Sequence, residues 1–275
     1  MSILRPRMHE DTRAIVVLAI CAAGWLAWLF VVLSRRPLTP LQNLLLFINR
    51  LLTSLLWRTS APSDVPLPPG RGGVIVCNHR SSVDPFFVQM ATGRKVHWMV
   101  AREFCEHWAF RWFLRACEVI PTNRGGIDTA ATKSAIRIVS SGGLMGMLPE
   151  GRINMTEAIL LPARPGAALV ALKAKVPVVP CFIRGAPYRR TAWSPFFMPA
   201  RVEITFGEPI DLTEFHGREG EAGVVQAAML RILQALATLG GQPDFEPQLA
   251  GRNWKPTQEE LNAAMDEADR RRGEA

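Results

Sequence analysis

The sequence lacks several features that would have declared a function at once. It holds a single tyrosine, Tyr188, and no repeat that interleaves basic with aromatic residues. A surface that stacks bases is built from such rings, so the formal charge of +8 points away from nucleic acid. It points instead to phospholipid headgroups or a phosphorylated small molecule. The five cysteines (Cys21, Cys77, Cys105, Cys117 and Cys181) are odd in number, scattered and without a C-x-x-C pair. That pattern excludes a disulfide framework and a zinc site, and predicts reduced, mostly buried thiols. His97 and His107 have no metal-ligand spacing, so no metal is expected. There is no G-x-S-x-G elbow to present an activated serine, and no internal repeat.

Charge is also missing locally. Ala14 to Leu33 contains neither a charged nor a polar residue. At 1.5 Å per residue such a run spans roughly 30 Å, the hydrocarbon thickness of a bilayer. Its end, Leu33-Ser34-Arg35-Arg36-Pro37, does not resemble a signal-peptide cleavage site, so a retained transmembrane helix is expected over about 14–33. Basic residues stand on both sides, Arg5, Arg7 and Arg13 before and Arg35 and Arg36 after, which leaves its orientation weakly specified. A second apolar stretch, about 41–57, is interrupted by Gln42, Asn43, Asn49 and Arg50 and reads as an interfacial helix.

These features predict a membrane anchor over 1–60 and a proline-rich linker over 61–71, with Pro62, Pro66, Pro68 and Pro69. A folded body is expected over 72–242, separable from the anchor, and a tail over 243–275 whose short helix opens on a capping box of Thr257 and Glu260. Within the body, buried-strand and helix signals alternate. Strands are expected at Val74–Cys77, Val96–Val100, Val119-Ile120, Leu144–Leu148, Val178-Val179 and Arg201–Phe206. Helices are expected from Pro85, over Phe104–Cys117, from Asp128 to Gly142-Gly143, from Pro165 and over Val224–Leu239. Alternation at this spacing specifies an α/β fold with a mostly parallel sheet flanked by helices.

One stretch carries chemistry on its face: Asn78-His79-Arg80-Ser81-Ser82-Val83-Asp84, directly after the first strand and before Pro85. Residues five apart lie about 140° apart around a helix, so a continuous helix would separate His79 from Asp84. A strand-to-helix turn brings them together, with Asp84 expected at the N-cap. Asp84 then accepts from the imidazole, giving a general base with its orienting carboxylate. A plain capping aspartate beside a polar loop histidine is the alternative. Ser81 and Ser82 read as turn and capping residues. Three further stretches fall at strand ends: Pro121-Thr122-Asn123-Arg124, Leu148-Pro149-Glu150-Gly151-Arg152 and Val176-Pro177-Val178-Val179-Pro180. Each alone reads as an ordinary loop; their order is what counts.

In that order the four stretches resemble the motifs of the glycerolipid acyltransferase family, typified by 1-acylglycerol-3-phosphate acyltransferases. N-H-x-x-x-x-D is matched by Asn78, His79 and Asp84. The Ile-Pro-x-x-Arg segment is matched by Ile120, Pro121 and Arg124, and Val-Pro-x-x-Pro by Val176, Pro177 and Pro180. The third motif departs from the family's Phe-Pro-Glu-Gly-Thr-Arg, since Gly151 is followed at once by Arg152. The resemblance covers roughly residues 72–210 and implies a glycerol-3-phosphate acyltransferase-like fold. It implies His79 and Asp84 as catalytic, and a substrate site of Asn78, Arg124, Glu150, Gly151 and Arg152. It implies acyl-CoA or acyl-carrier protein as co-substrate with no cofactor, a lysophospholipid acceptor, and a membrane location, single-pass or monotopic, with the domain on the cytoplasmic face. The acceptor expected first is 1-acylglycerol-3-phosphate. The departure in the third motif also admits a headgroup-bearing lysophospholipid. A catalytically idle lipid-binding protein gains nothing from a base-orienter pair, and an esterase needs an activated nucleophile that the sequence does not offer.

Overall fold

The computed structural model describes residues 14–21, 23–25, 38–62, 64–123, 128–189 and 191–251, together with helical positions 263, 266 and 270. The chain divides into two compact units, one ending at Phe47 and one beginning at Ile48.

In the first unit, residues 14–21 and 23–25 are helical and exposed. The rest of the expected 14–33 span lies outside the described residues, as does most of the expected C-terminal helix. Among the described residues, no helix is long and apolar enough to cross a membrane. A helix, α1 (Pro40–Leu51), starts on a reciprocal cap in which the Gln42 backbone N–H donates to Thr39 Oγ1 and the Thr39 N–H donates to Gln42 Oε1.

The second unit is built on a six-stranded sheet. Its strands are β1 (Gly73–Cys77), β2 (Val96–Ala101), β3 (Ile120–Thr122), β4 (Leu144–Met147), β5 (Val178–Arg184) and β6 (Glu203–Phe206), in spatial order β3-β2-β4-β1-β5-β6. All pairings are parallel except β5 with β6. The strands read as unbroken apolar runs because both faces are covered. One face places Val74, Val76, Met145, Val178 and Phe182 against α5 (Thr129–Ser140), α6 (Gly166–Ala174) and α7 (Val224–Leu239). The other places Ile75, Cys77, Leu144, Val179 and Ile183 against α2 (Asp84–Ala91) and Trp57. On β4, Gly146 is required by packing. A Cβ there would lie 2.6 Å from the ring of Trp98 on β2, which is 6 % exposed.

The expected mostly parallel α/β sheet is therefore present, with local differences. The predicted helix over Phe104–Cys117 is two short ones, α3 (Arg102–Glu106) and α4 (Arg111–Ala116), separated by a turn at His107–Phe110. The predicted body does not begin at residue 72. A π-helical turn, Leu52–Leu56, leads into Trp57, which is 0 % exposed, donates from its indole to Pro195 O and packs on Phe86, Phe87 and Phe196. Residues 56–60 then run along 200–204 through backbone bonds to Ala200, Val202 and Ile204, covering the start of the β6 edge. Val65 and Leu67, in the supposed linker, are buried in the same core. At the other end, Ala250 N donates to Ala163 O and Ala163 N to Gln248 O, so the stretch assigned to a tail is partly stitched to the body.

Candidate active site

β1 is the central strand, flanked by β4 and β5, and its C-terminal end is the switch point where open α/β sheets hold their sites. His79 stands there, two residues past Cys77. Its Nδ1 lies 2.9 Å from Asp84 Oδ2, with the histidine side chain 16 % exposed and the aspartate 0 %. The turn is drawn tight around that one oxygen, which also accepts from the backbone N–H of Arg80 at 2.7 Å and of Ser81 at 2.8 Å. The sequence pattern predicts Asp84 at the N-cap. It is instead the first helical residue of α2, with Val83 at the cap and no capping bond from a side chain. Its carboxylate faces backward across the turn, because three donors of residues 79–81 converge there. With Asp84 accepting at Nδ1–H, the lone pair of His79 is left on Nε2.

The third motif forms the other wall. Glu150 Oε1 accepts from the His79 backbone N–H at 2.7 Å and Oε2 from that of Leu161 at 2.8 Å. The residue is 2 % exposed. Burial pushes its carboxyl up to about 7, and the two backbone donors hold it below where burial alone would put it. Both oxygens are engaged by the main chain, so this carboxyl positions His79 and does not present an open acceptor-hydroxyl site. Gly151, at φ +67° with open space around it, makes the next turn. Arg152 is half-buried just beyond.

Asn78 is likewise structural. Its side-chain amide exchanges two bonds with the backbone of Ile183, at 2.9 and 2.8 Å, and fastens the end of β1 to β5. It is 1 % exposed, which removes it from the expected substrate-binding set. Arg124 lies outside the described residues.

Two residues to which the sequence assigns no role complete the site. Arg80 donates to the carbonyls of Asn154, Thr156 and Ala158, and burial lowers its pKa. Asn154, 2 % exposed, donates its backbone N–H to His79 O at 2.7 Å. The peptide of His79 is thus held on both sides by residues of the 150–161 loop. A polar residue at each of these positions is visible in the sequence, but nothing in their spacing pairs them. Ser81 and Ser82 are turn residues as expected, and their hydroxyls reach the carbonyls of Pro187 and Ala192. The thiol of Cys77, deep in β1, is raised well above the ordinary range by burial and is no nucleophile.

The arrangement offers a base with an orienting carboxylate at the mouth of the central strand, and loops on either side to hold a substrate. Comparison with known proteins gives that geometry its context. Residues 63–184 match the family described as Acyltransferase. The chain is 24% identical over 172 residues to the 1-acyl-sn-glycerol-3-phosphate acyltransferase of Bacillus subtilis (strain 168), covering 60% of this chain and 82% of that protein. Its fold is similar to the crystal structure of the 1-acyl-sn-glycerophosphate acyltransferase of Thermotoga maritima, with a TM-score of 0.52 and 20% identity over 70% of this chain and 77% of that one. The segment that carries His79 and Asp84 is thus similar to acyltransferases, in sequence over residues 63–184 and in fold.

Proposed function

We propose that this acyltransferase moves a fatty acyl group from a thioester, acyl-CoA or acyl-carrier protein, to the free hydroxyl of a lysophospholipid, first among them 1-acylglycerol-3-phosphate, giving phosphatidic acid. The observation that carries the reading is the 2.9 Å bond from His79 Nδ1 to a fully buried Asp84. His79 Nε2 takes the hydroxyl proton as the oxygen attacks the thioester carbonyl. The C–O bond forms, the C–S bond breaks, and the proton passes from the imidazolium to the departing sulfur. Asp84 stabilises the imidazolium between those steps. The transfer needs no cofactor beyond the thioester. Arg152, and Arg124 of the second motif, are the cations proposed for the acceptor's phosphate, since a guanidinium grips phosphate through two parallel bonds. The named relatives support the acceptor, and the membrane location follows from its being a membrane lipid.

Direct transfer fits the site better than an acyl-enzyme, because the buried hydroxyl of Ser81 is bonded to Pro187 O and burial raises the Cys77 thiol well above its ordinary range. The test is turnover by the purified protein on a panel of lysophospholipids with each donor type. Preference for an acceptor with a bare phosphate supports the reading. Preference for a headgroup-bearing acceptor moves the enzyme to phospholipid remodelling, and hydrolysis of the donor without transfer would overturn it.

A further inference from the structure

Soluble domains scatter their exposed apolar side chains, yet among the described residues of the second unit the large exposed aromatic ones fall in two segments that pack together. Trp108 and Phe197 are each 83% exposed, Trp112 59% and Trp193 49%. They belong to two segments far apart in sequence that the fold brings together: the α3–α4 region, and the loop through the short 3₁₀ helix Ser194–Phe197. Phe110 stacks on Trp193 with ring centroids 4.6 Å apart, which locks the two segments edge to edge. Below them, Phe86 stacks on Phe113 at 5.9 Å and meets Phe196 at the same distance, so the face rests on a rigid aromatic floor continuous with α2 and Trp57. The rings are held out, not left over from poor packing.

We infer that this aromatic face docks the catalytic domain onto an anionic phospholipid bilayer, independently of the N-terminal apolar segments. Three of the four most prominent rings are indoles, whose apolar body and polar N–H suit the headgroup boundary better than water or hydrocarbon. Arginines frame them: Arg111 and Arg115 are exposed on the same helix as Trp112, and Arg189 is exposed in the same loop as Trp193. The acids of the face, Glu103 and Glu106, lie on the preceding helix, where Arg102 answers Glu106 at 3.9 Å. Rings to insert and arginines to meet lipid phosphates are complementary to an anionic bilayer.

The location matters as much as the composition. The hydroxyl of Ser82 donates to Ala192 O, and that of Ser81 to Pro187 O. The loop bearing Trp193 and Phe197 is therefore pinned to the His79–Asp84 turn. A bilayer seated on the rings lies beside the site, so a lysophospholipid reaches it by a short lateral move. The inference rests on the proposed acceptor only in this last respect.

The test uses the full chain and vesicles of phosphatidylcholine with phosphatidylglycerol. Hydrogen exchange, read with and without vesicles, is expected to slow in peptides covering 104–114 and 191–198. The variant Trp108→Ser/Trp112→Ser/Phe197→Ser is expected to lose that protection, with kcat/KM on vesicle-embedded acceptor falling at least about tenfold. Turnover of a short-chain acceptor dispersed in solution falls far less. Unchanged exchange in both peptides would overturn the inference whatever the enzyme's acceptor, because the exchange readout needs no turnover. Protection that appears without vesicles and rises with protein concentration would assign the face to a second copy and also overturn it. An equal loss on both acceptors would mean that the rings serve folding alone.

Discussion

At the residue scale, the proposed transfer depends on what Asp84 Oδ2 holds. That oxygen accepts from the His79 imidazole and from the N–H groups of Arg80 and Ser81, while Oδ1 is buried with no partner among the described residues. Asp84→Asn can keep its oxygen toward the three donors, so the turn survives, but the negative charge that stabilises the imidazolium is gone. kcat is expected to fall by about 10²–10⁴ with little change in KM. His79→Ala removes the base itself and is expected to abolish transfer. It should leave thermal stability nearly unchanged, because a part-exposed loop side chain contributes little packing. Steady-state kinetics and a melting curve on each variant check both statements; turnover in a folded His79→Ala protein would remove the base from this position. The His–Asp pair is legible in the sequence because chemistry constrains both its residue types and their spacing. The roles of Asn78 and Glu150 are not. A buried amide that bonds to a neighbouring strand and a buried carboxyl that bonds to two backbone donors differ from substrate-binding groups only in their surroundings, and long-range neighbours are not written in a local motif.

At the element scale, the site is a clasp between two loops, one after β1 and one after β4. Glu150 and Asn154 each supply one bond across it and Arg80 three, while the second oxygen of Glu150 accepts from Leu161 within its own loop. Glu150 ionises at 4.5 in the unfolded chain and at about 7 in the fold, so between those values the folded state holds the extra proton. Stability therefore falls as pH rises through that window and levels off above it, a pH-dependent cost on the order of 3 kcal/mol. Glu150→Gln does not titrate, and the difference in stability between the two proteins is expected to shift in favour of the glutamine variant from pH 5 to pH 7. Urea denaturation at several pH values checks this, and a difference that stays flat would mean that Glu150 is ionised throughout. The amide also replaces one acceptor with a donor facing a backbone N–H. Loosening of His79 should then lower kcat by about 1–3 kcal/mol in activation free energy. The mostly parallel pairing is readable from apolar runs alternating with helical patterns. The break of the 104–117 segment into two short helices is not, because its aromatic residues suit a helix equally well until the rings find their partners on another loop.

At the scale of the whole molecule, the question is where the folded body begins. Composition places the break in the proline-rich stretch, since prolines suit linkers and the apolar run before it suits a membrane. The structure places the break at Phe47, because the residues from Ile48 onward are used for packing. Thr53 and Trp57 are 0 % exposed, Val65 is 4 % exposed, and the 56–60 segment covers the start of the β6 edge. Composition cannot distinguish an apolar residue meant for lipid from one meant for a core far along the chain. The consequence is a pair of truncations with opposite outcomes. A protein beginning at Ile48 keeps every one of these contacts and is expected to unfold cooperatively, with a urea midpoint close to that of the full chain. A protein beginning at residue 61 loses Trp57, with its three aromatic neighbours and its bond to Pro195 O, and uncovers an edge strand. The loss of a fully buried tryptophan alone removes about 3–5 kcal/mol, a large share of the roughly 5–15 kcal/mol that holds an ordinary domain folded. The shorter protein is therefore expected to be aggregation-prone and largely unfolded at about 37 °C. Trp57→Ala in the full chain isolates the packing contribution from that of the edge, and its urea midpoint should fall between the other two. Equal midpoints for the proteins beginning at 48 and at 61 would return the boundary to the prolines and make residues 48–60 dispensable to the fold.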